Sequence, residues 1–182
     1  LTPILINFVK KMNEKYKDLF FVFHSTTEHV QLIQNLLLKE GLKNCGAIGD
    51  EKIKSHILDS SMFAVAKSGT ISLEICKAKI PSIIIYKMGF INFFIIKMLV
   101  KVKFANLINI AANEEIIPEL LQSNCNANNI FNTVNDLLNN KQSMEKQITK
   151  TQSVISKFRT DKSTDIAASV VNFHLIGKSP IK

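Results

Sequence analysis

The stretch from Met62 to Tyr86 limits the possible folds of this chain more than any other. Met62 to Ala66 is a short apolar run, Ser68-Gly69-Thr70 is turn chemistry, a helical segment follows, and Pro81 precedes a second apolar run, Ser82 to Tyr86. A strand that turns directly into a helix and returns as a strand is a βαβ unit, with parallel strands and a right-handed crossover. The Ser-Gly-Thr turn leaves uncapped backbone N–H groups and the positive end of a helix dipole beyond the strand's carboxyl end, which suits an anion.

The flanking sequence repeats the alternation. Thr2-Pro3 opens a helix with Ile4, Leu5, Phe8, Val9 and Met12 at helical spacing, ending near Lys15. Leu19 to His24 is a continuous apolar run of the kind found in strands covered on both faces. Ser25-Thr26-Thr27-Glu28 has capping-box spacing for a helix carrying Val30, Ile33, Leu36 and Leu37, and Gly41 ends it. A short strand at Ala47-Ile48 and a short helix from Glu51 to Leu58 follow. The pattern predicts a parallel sheet, with ligands at the strands' carboxyl ends, so Lys67 to Thr70 and Lys87 to Gly89 are expected to line a site.

Farther on, Pro118-Glu119-Leu120-Leu121 reads as helical, and Asn126 to Asn140 is an amphipathic helix with Ile130, Phe131, Val134, Leu137 and Leu138 on one face. Lys141 to Lys157 and Thr164 to Phe173 are helical but thinly apolar. They are expected to pack on the domain or cross to a missing half. The expected division is an α/β domain over 1–140 and C-terminal helices over 141–182.

Phe90 to Val102 departs from the alternation, with hardly a polar face. A bilayer span takes about 20 apolar residues, so this run reads either as a core helix or as a helix in the membrane interface. In the second reading Phe90, Phe93 and Phe94 enter the acyl boundary while Lys97 and Lys101 sit among anionic headgroups.

With 182 residues the chain is long enough for one sizeable core, or one domain plus an appendage, and a 46% hydrophobic fraction with 21% charged residues argues for a folded globular chain. Its net charge of +8 favours acidic partners. Cys45, Cys76 and Cys125 have neither zinc nor disulfide spacing and fit a reducing cytosol. His24, His29, His56 and His174 have no metal-ligand spacing, and no dinucleotide fingerprint or P-loop occurs. Because it opens at Leu1, inside a helix, the sequence is read as a fragment.

Four segments together resemble one family: Ala66-Lys67-Ser68-Gly69-Thr70-Ile71-Ser72-Leu73-Glu74; Tyr86-Lys87-Met88; Lys97-Met98-Leu99-Val100-Lys101; and Asn109-Ile110-Ala111-Ala112 followed by Ile117-Pro118-Glu119-Leu120-Leu121-Gln122. Their order and separations are similar to those of lipid-A-disaccharide synthases. The resemblance covers nearly the whole chain but only the C-terminal half of that family's length. It implies the Rossmann-like, UDP-sugar-binding domain of a GT-B glycosyltransferase. It further implies inverting transfer of 2,3-diacylglucosamine from its UDP derivative to 2,3-diacylglucosamine 1-phosphate. No metal or other cofactor is implied. The expected location is cytoplasmic, peripheral on the inner face of the bacterial inner membrane, and a separate N-terminal half chain is a possible partner.

Residue by residue, the turn Ser68, Gly69 and Thr70 is expected at the diphosphate. There Gly69 admits close backbone approach, Ser68 and Thr70 offer donors, and the helix start favours negative charge by roughly 0.3 to 1 kcal/mol. Glu74, one turn beyond Thr70, is by resemblance the glutamate that accepts the ribose hydroxyls. Lys87 and Met88 stand where the family usually has Arg-Met, keeping the charge without the bidentate fork. Asn109 matches an asparagine near the diphosphate, and Asn113-Glu114 stands where Gly-Arg is common. The family's Gly-Ser-Arg loop and its general base would precede Leu1, so no catalytic residue is expected in this chain. Two other readings of the positive charge are a non-catalytic membrane-surface protein and a nucleic-acid-binding module. The second lacks interleaved basic and aromatic residues, so nucleic acid is not expected as a partner.

Overall fold

The strand that organises the fold is Ser82–Tyr86, because its side chains are apolar in both directions and its neighbours bury both faces. In the computed structural model, which describes residues 1–89 and 103–158, Ile83 and Ile85 join one apolar cluster and Ile84 joins another on the opposite side of the sheet. All three are essentially inaccessible to solvent. That is the pleat of a strand with helices on both faces.

The described elements are α1 (Thr2–Lys15), β1 (Phe21–His24), α2 (Thr27–Lys39), β2 (Cys45–Ile48), α3 (Glu51–Asp59), β3 (Ala64–Lys67), α4 (Ile71–Lys77), β4 (Ser82–Tyr86), α5 (Leu107–Ala112), β5 (Glu119–Leu121), α6 (Ala127–Leu138) and α7 (Lys141–Phe158). β1 pairs parallel with β2, and β3, β4 and β5 pair parallel in that order. Parallel strands flanked by helices make an open, Rossmann-like α/β arrangement, as the alternation predicts. On the first cluster's side α1 buries Ile6, Phe8, Val9 and Met12, and α6 buries Ile130 and Val134. The Phe8 and Phe21 rings meet edge to face at 6.4 Å. Ile75, Cys76, Ile108, Ile117 and Val154 fill the other side.

Several expectations give way to local physics. The run at Leu19 to His24 is not covered on both faces: β1 alternates between half-buried and exposed, with Val22 38% and Phe20 65% accessible. The capping box at Ser25 does not form. The α2 N-cap is Thr26, so the residue three positions on is His29, whose Nδ1 lies 2.7 Å from the Thr26 hydroxyl. Gly41 does end α2, in a left-handed conformation (φ 68°) with Leu42 N–H donating to Leu37 O and Gly41 N–H to Leu38 O.

Glu119–Leu121 is a strand, not a helix. Beside the long edge of β4, the ladder bonds outweigh helical propensity, and Pro118 sits at the strand's entrance, where its missing N–H costs nothing. α7 packs on this same domain: Gln147 accepts from Ser82 N–H at 2.7 Å and donates to Ser82 O at 3.0 Å, as another strand residue would. Gln152 donates to Cys76 O. The stretch from Thr164 to Phe173 lies outside the described residues.

Candidate functional site

The register Lys67↔Ile85 and Tyr86↔Leu121 brings the carboxyl ends of β3, β4 and β5 side by side. Three chain reversals therefore share one edge of the sheet: Ser68 to Thr70, Lys87 to Gly89, and Gln122. Lys67 Nζ lies 5.6 Å from the centroid of the Tyr86 ring, which ties the first two together.

At the first reversal Thr70 is the N-cap of α4, but its side chain makes no capping bond. Ser72 N–H donates to Gly69 O and Leu73 N–H to Thr70 O, while the Ser72 hydroxyl closes back onto Gly69 O at 2.7 Å. A methyl group added at Gly69 would meet nothing within 4 Å, so the space over the turn is open. α4 has only seven residues, so its dipole is a modest contribution and the local amides matter more. The Ser68 hydroxyl donates to Ala105 O at 2.7 Å, so its proton is engaged within the protein.

Glu74 occupies the first turn of α4 with its side chain 43% accessible. Its partner is Lys54 of α3, 2.9 Å away, which also lies 2.6 Å from Glu51. The Glu51 carboxylate, and after it Glu74, push the Lys54 ammonium above its usual range, and Lys54 holds Glu51 below the usual carboxylate range. Sequence reasoning had no signal for Lys54, which reads as one more surface lysine.

Asn109 has a different place from the one expected. It is fully buried on α5, and its amide is spent within the protein: Nδ2 donates to Ile117 O and Glu119 Oε1, and Oδ1 accepts from Ile116 and Ile117 N–H. A residue so engaged has no donor left for a diphosphate. It fixes the entry of β5 instead. Glu119 completes the brace by accepting from Ala105 N–H at 2.7 Å and Asn106 N–H at 2.9 Å. The chain is thus held from β5 through Ala105 to Ser68.

Two amides that sequence reasoning left out of the site do have spare capacity. Gln122 accepts from Met88 N–H at 3.4 Å, and its buried Nε2 has no partner among the described residues; the same holds for Nδ2 of the fully buried Asn106. Gln122 closes the Pro-Glu-Leu-Leu-Gln run, which was a signal of its importance. Lys87 is exposed beside Met88.

The sequence model of the family described as lipid-A-disaccharide synthetase matches residues 1–171. This chain belongs to the lipid-A-disaccharide synthetase family. Lipid-A-disaccharide synthase of Rickettsia typhi is 37% identical over 172 residues, covering 93% of this chain and 45% of the relative. The Rickettsia prowazekii enzyme is 36% identical with the same coverage, and that of Rickettsia bellii is 36% identical over 85% of this chain and 40% of its own length. The chain therefore spans less than half the length of these relatives.

Family membership gives the departures at Asn113 and Glu114 a structural reading. Asn113 caps α5 in the left-handed conformation (φ 51°), which asparagine tolerates better than most residues with a side chain. Glu114 pairs with Lys150 of α7. Both side chains are partly exposed, so the pair adds little to the packing of α7 on the domain. The expected membrane-contact residues Phe90, Phe93, Phe94, Lys97 and Lys101 lie outside the described residues, and no helix among the described residues is long and apolar enough to cross a membrane.

Proposed function

We propose that this chain is the donor-binding half of a lipid-A-disaccharide synthase. It would bind UDP-2,3-diacylglucosamine at the carboxyl edge of β3, β4 and β5 for transfer to 2,3-diacylglucosamine 1-phosphate. The observation that carries this reading is the uncapped, open turn at Ser68–Thr70, set beside Lys87 and Glu74 in a chain of this family.

In the proposed arrangement the amides around Gly69 and Thr70 face the diphosphate, Lys87 adds charge from the next loop, and Glu74 accepts the two ribose hydroxyls from its open side. Met88 packs beside the nucleotide. Gln122 orients the Met88 amide and has a donor to spare, whereas Asn109 and Glu119 hold the scaffold. The displacement forms a bond from an acceptor hydroxyl to the anomeric carbon and breaks the bond to UDP. The leaving diphosphate gains negative charge, which fixed donors stabilise. The hydroxyl's proton goes to a base that the reading places in the other half of the enzyme, on the same or a separate chain. Both substrates carry acyl chains, so the proposed working position is the inner face of the bacterial inner membrane, peripherally bound.

Calorimetric titration with UDP tests the reading. Saturable binding that weakens about tenfold or more in Glu74→Ala, with the variant's unfolding unchanged, is the expected result, since hydrogen bonds to a charged group contribute roughly 1.5 to 3 kcal/mol. No UDP binding, or equal binding by Glu74→Ala, would overturn it.

A further inference from the structure

In the proposed donor site Glu74 must meet two hydroxyls at once, and a glutamate on a short helix does not hold its own carboxylate still. Its side chain is long and partly exposed, and among the described residues its carboxylate has a single partner, Lys54 Nζ at 2.9 Å. Ordering such a side chain only when a ligand arrives subtracts from affinity.

Lys54 is itself held in place. Asp50 caps α3 by accepting from Lys52 N–H at 2.8 Å, which sets where the helix begins. Glu51, Lys54 and Leu58 then fall on one helix face. Leu58 packs against the apolar cluster that includes Ile75 and Cys76 of α4, so this face of α3 is turned toward α4. The Lys54 side chain is only 20% accessible, and its ammonium lies 2.6 Å from Glu51 as well as beside Glu74. A cation on a covered stem, gripped by a carboxylate of its own helix, does not swing away as an exposed lysine does.

The placement also limits what the pair can act on. Glu74 lies one helical turn past Thr70, about 6 Å along α4. Lys54 therefore stands beyond the amides of the Ser68–Thr70 turn, where the diphosphate is proposed, and beside the carboxylate proposed for the ribose. A carboxylate has more acceptor positions than one ammonium uses: Lys54 engages Oε2, and Oε1 keeps its full capacity.

We propose that Lys54 is a positioning residue that holds the Glu74 carboxylate ready for the ribose hydroxyls, and that it thereby sets the protein's preference for nucleotides with an intact ribose. This inference rests on the donor reading. Lys54 makes no contact with the nucleotide and acts through Glu74.

The test is calorimetric titration with UDP and with 2′,3′-dideoxyuridine diphosphate, which keeps the base and the diphosphate and lacks both hydroxyls. Lys54→Met retains the covered stem and removes the charge, so thermal unfolding should be nearly unchanged. It should bind UDP about threefold to fivefold more weakly than the wild-type chain. The dideoxy analogue should bind within about twofold of its wild-type affinity, because solvent and salt screen the lost charge from the diphosphate. Lys54→Arg, which keeps the charge, should recover most of the loss, and Lys54→Met added to Glu74→Ala should change nothing further. Undiminished UDP binding by Lys54→Met would overturn the inference. So would equal weakening for UDP and the analogue, which would mean a general loss of charge or of folding. A wild-type chain that binds UDP no better than the analogue, or binds neither, would remove the ribose contact of the donor reading and this inference together. A wild-type preference for UDP that survives intact in Lys54→Met would remove this inference alone.

Discussion

The β3-β4-β5 part of the sheet and the β1-β2 part are built from similar apolar runs, yet they end in different states. β4 has a strand on each side and a helix layer on each face, and Ile83, Ile84 and Ile85 are completely buried. Among the described residues β1 has one strand neighbour, and its residues alternate in exposure. Composition does not distinguish Phe-Val-Phe from Ile-Ile-Ile; the number of neighbours does. Polar side chains brace both parts: beside β1 and β2, Gln34 accepts from Ala47 N–H, and Asn44 pairs with Asn13 and donates to Leu19 O. Asn109, Glu119 and Gln147 brace the β3-β4-β5 part from inside, and the candidate donor site sits on that braced edge.

The largest effect expected from this contrast is on Asn109. Asn109→Leu strands two backbone N–H groups and a carbonyl in the interior, so urea unfolding should show a loss of more than about 3 kcal/mol. Next, Ile84→Ala should cost about 2 to 4 kcal/mol in the same measurement and Val22→Ala less than about 1, because only the first leaves a closed cavity. Equal costs would erase the distinction between the two parts.

Thiol chemistry sharpens it further. Burial pushes the thiols of Cys45 in β2 and Cys76 in α4 up to about 11 each, so both should resist a thiol reagent at pH 8 far longer than in the unfolded chain. The folded state holds these protons more tightly than the unfolded state does. Stability is therefore unaffected below the unfolded thiol value, near 8.5, and falls as pH rises from there toward 11. If the β1-β2 part opens more readily, Cys45 will be labelled before Cys76. The smallest effect expected is from Lys54→Ala, which removes two ion pairs at the protein surface, with Glu51 and Glu74, and should weaken UDP binding by about fivefold at most.

Much of this arrangement could be read from sequence, for reasons that mark its limits. The βαβ unit at 62–86 was legible because Gly69, Pro81 and the apolar runs mark every boundary within a few residues. Gly41 and Asn126 announced the end of α2 and the start of α6 through local backbone chemistry, which does not depend on distant contacts. β5 was not legible, because three residues have no period and become a strand only beside β4. Nor was the burial of Asn109, since an asparagine among small residues looks the same on a turn as at the centre of a hydrogen-bond network. The open edge of β1 was hidden for a related reason: a strand's sequence does not state how many neighbours it has. At the site, the motif identified Ser68 to Glu74 and Lys87-Met88 as candidates, but Lys54 reaches Glu74 from another helix and left no trace in the sequence.

In the proposed arrangement the nucleotide binds at the carboxyl edge of β3, β4 and β5 and nowhere else. Backbone amide spectra recorded during a UDP titration locate the nucleotide residue by residue. Saturable shifts are expected at Ser68 to Glu74, Lys87, Met88 and Gln122, with the amides of β1 and β2 unmoved. Shifts centred on β1 and β2, or a spectrum that UDP leaves unchanged, would contradict it.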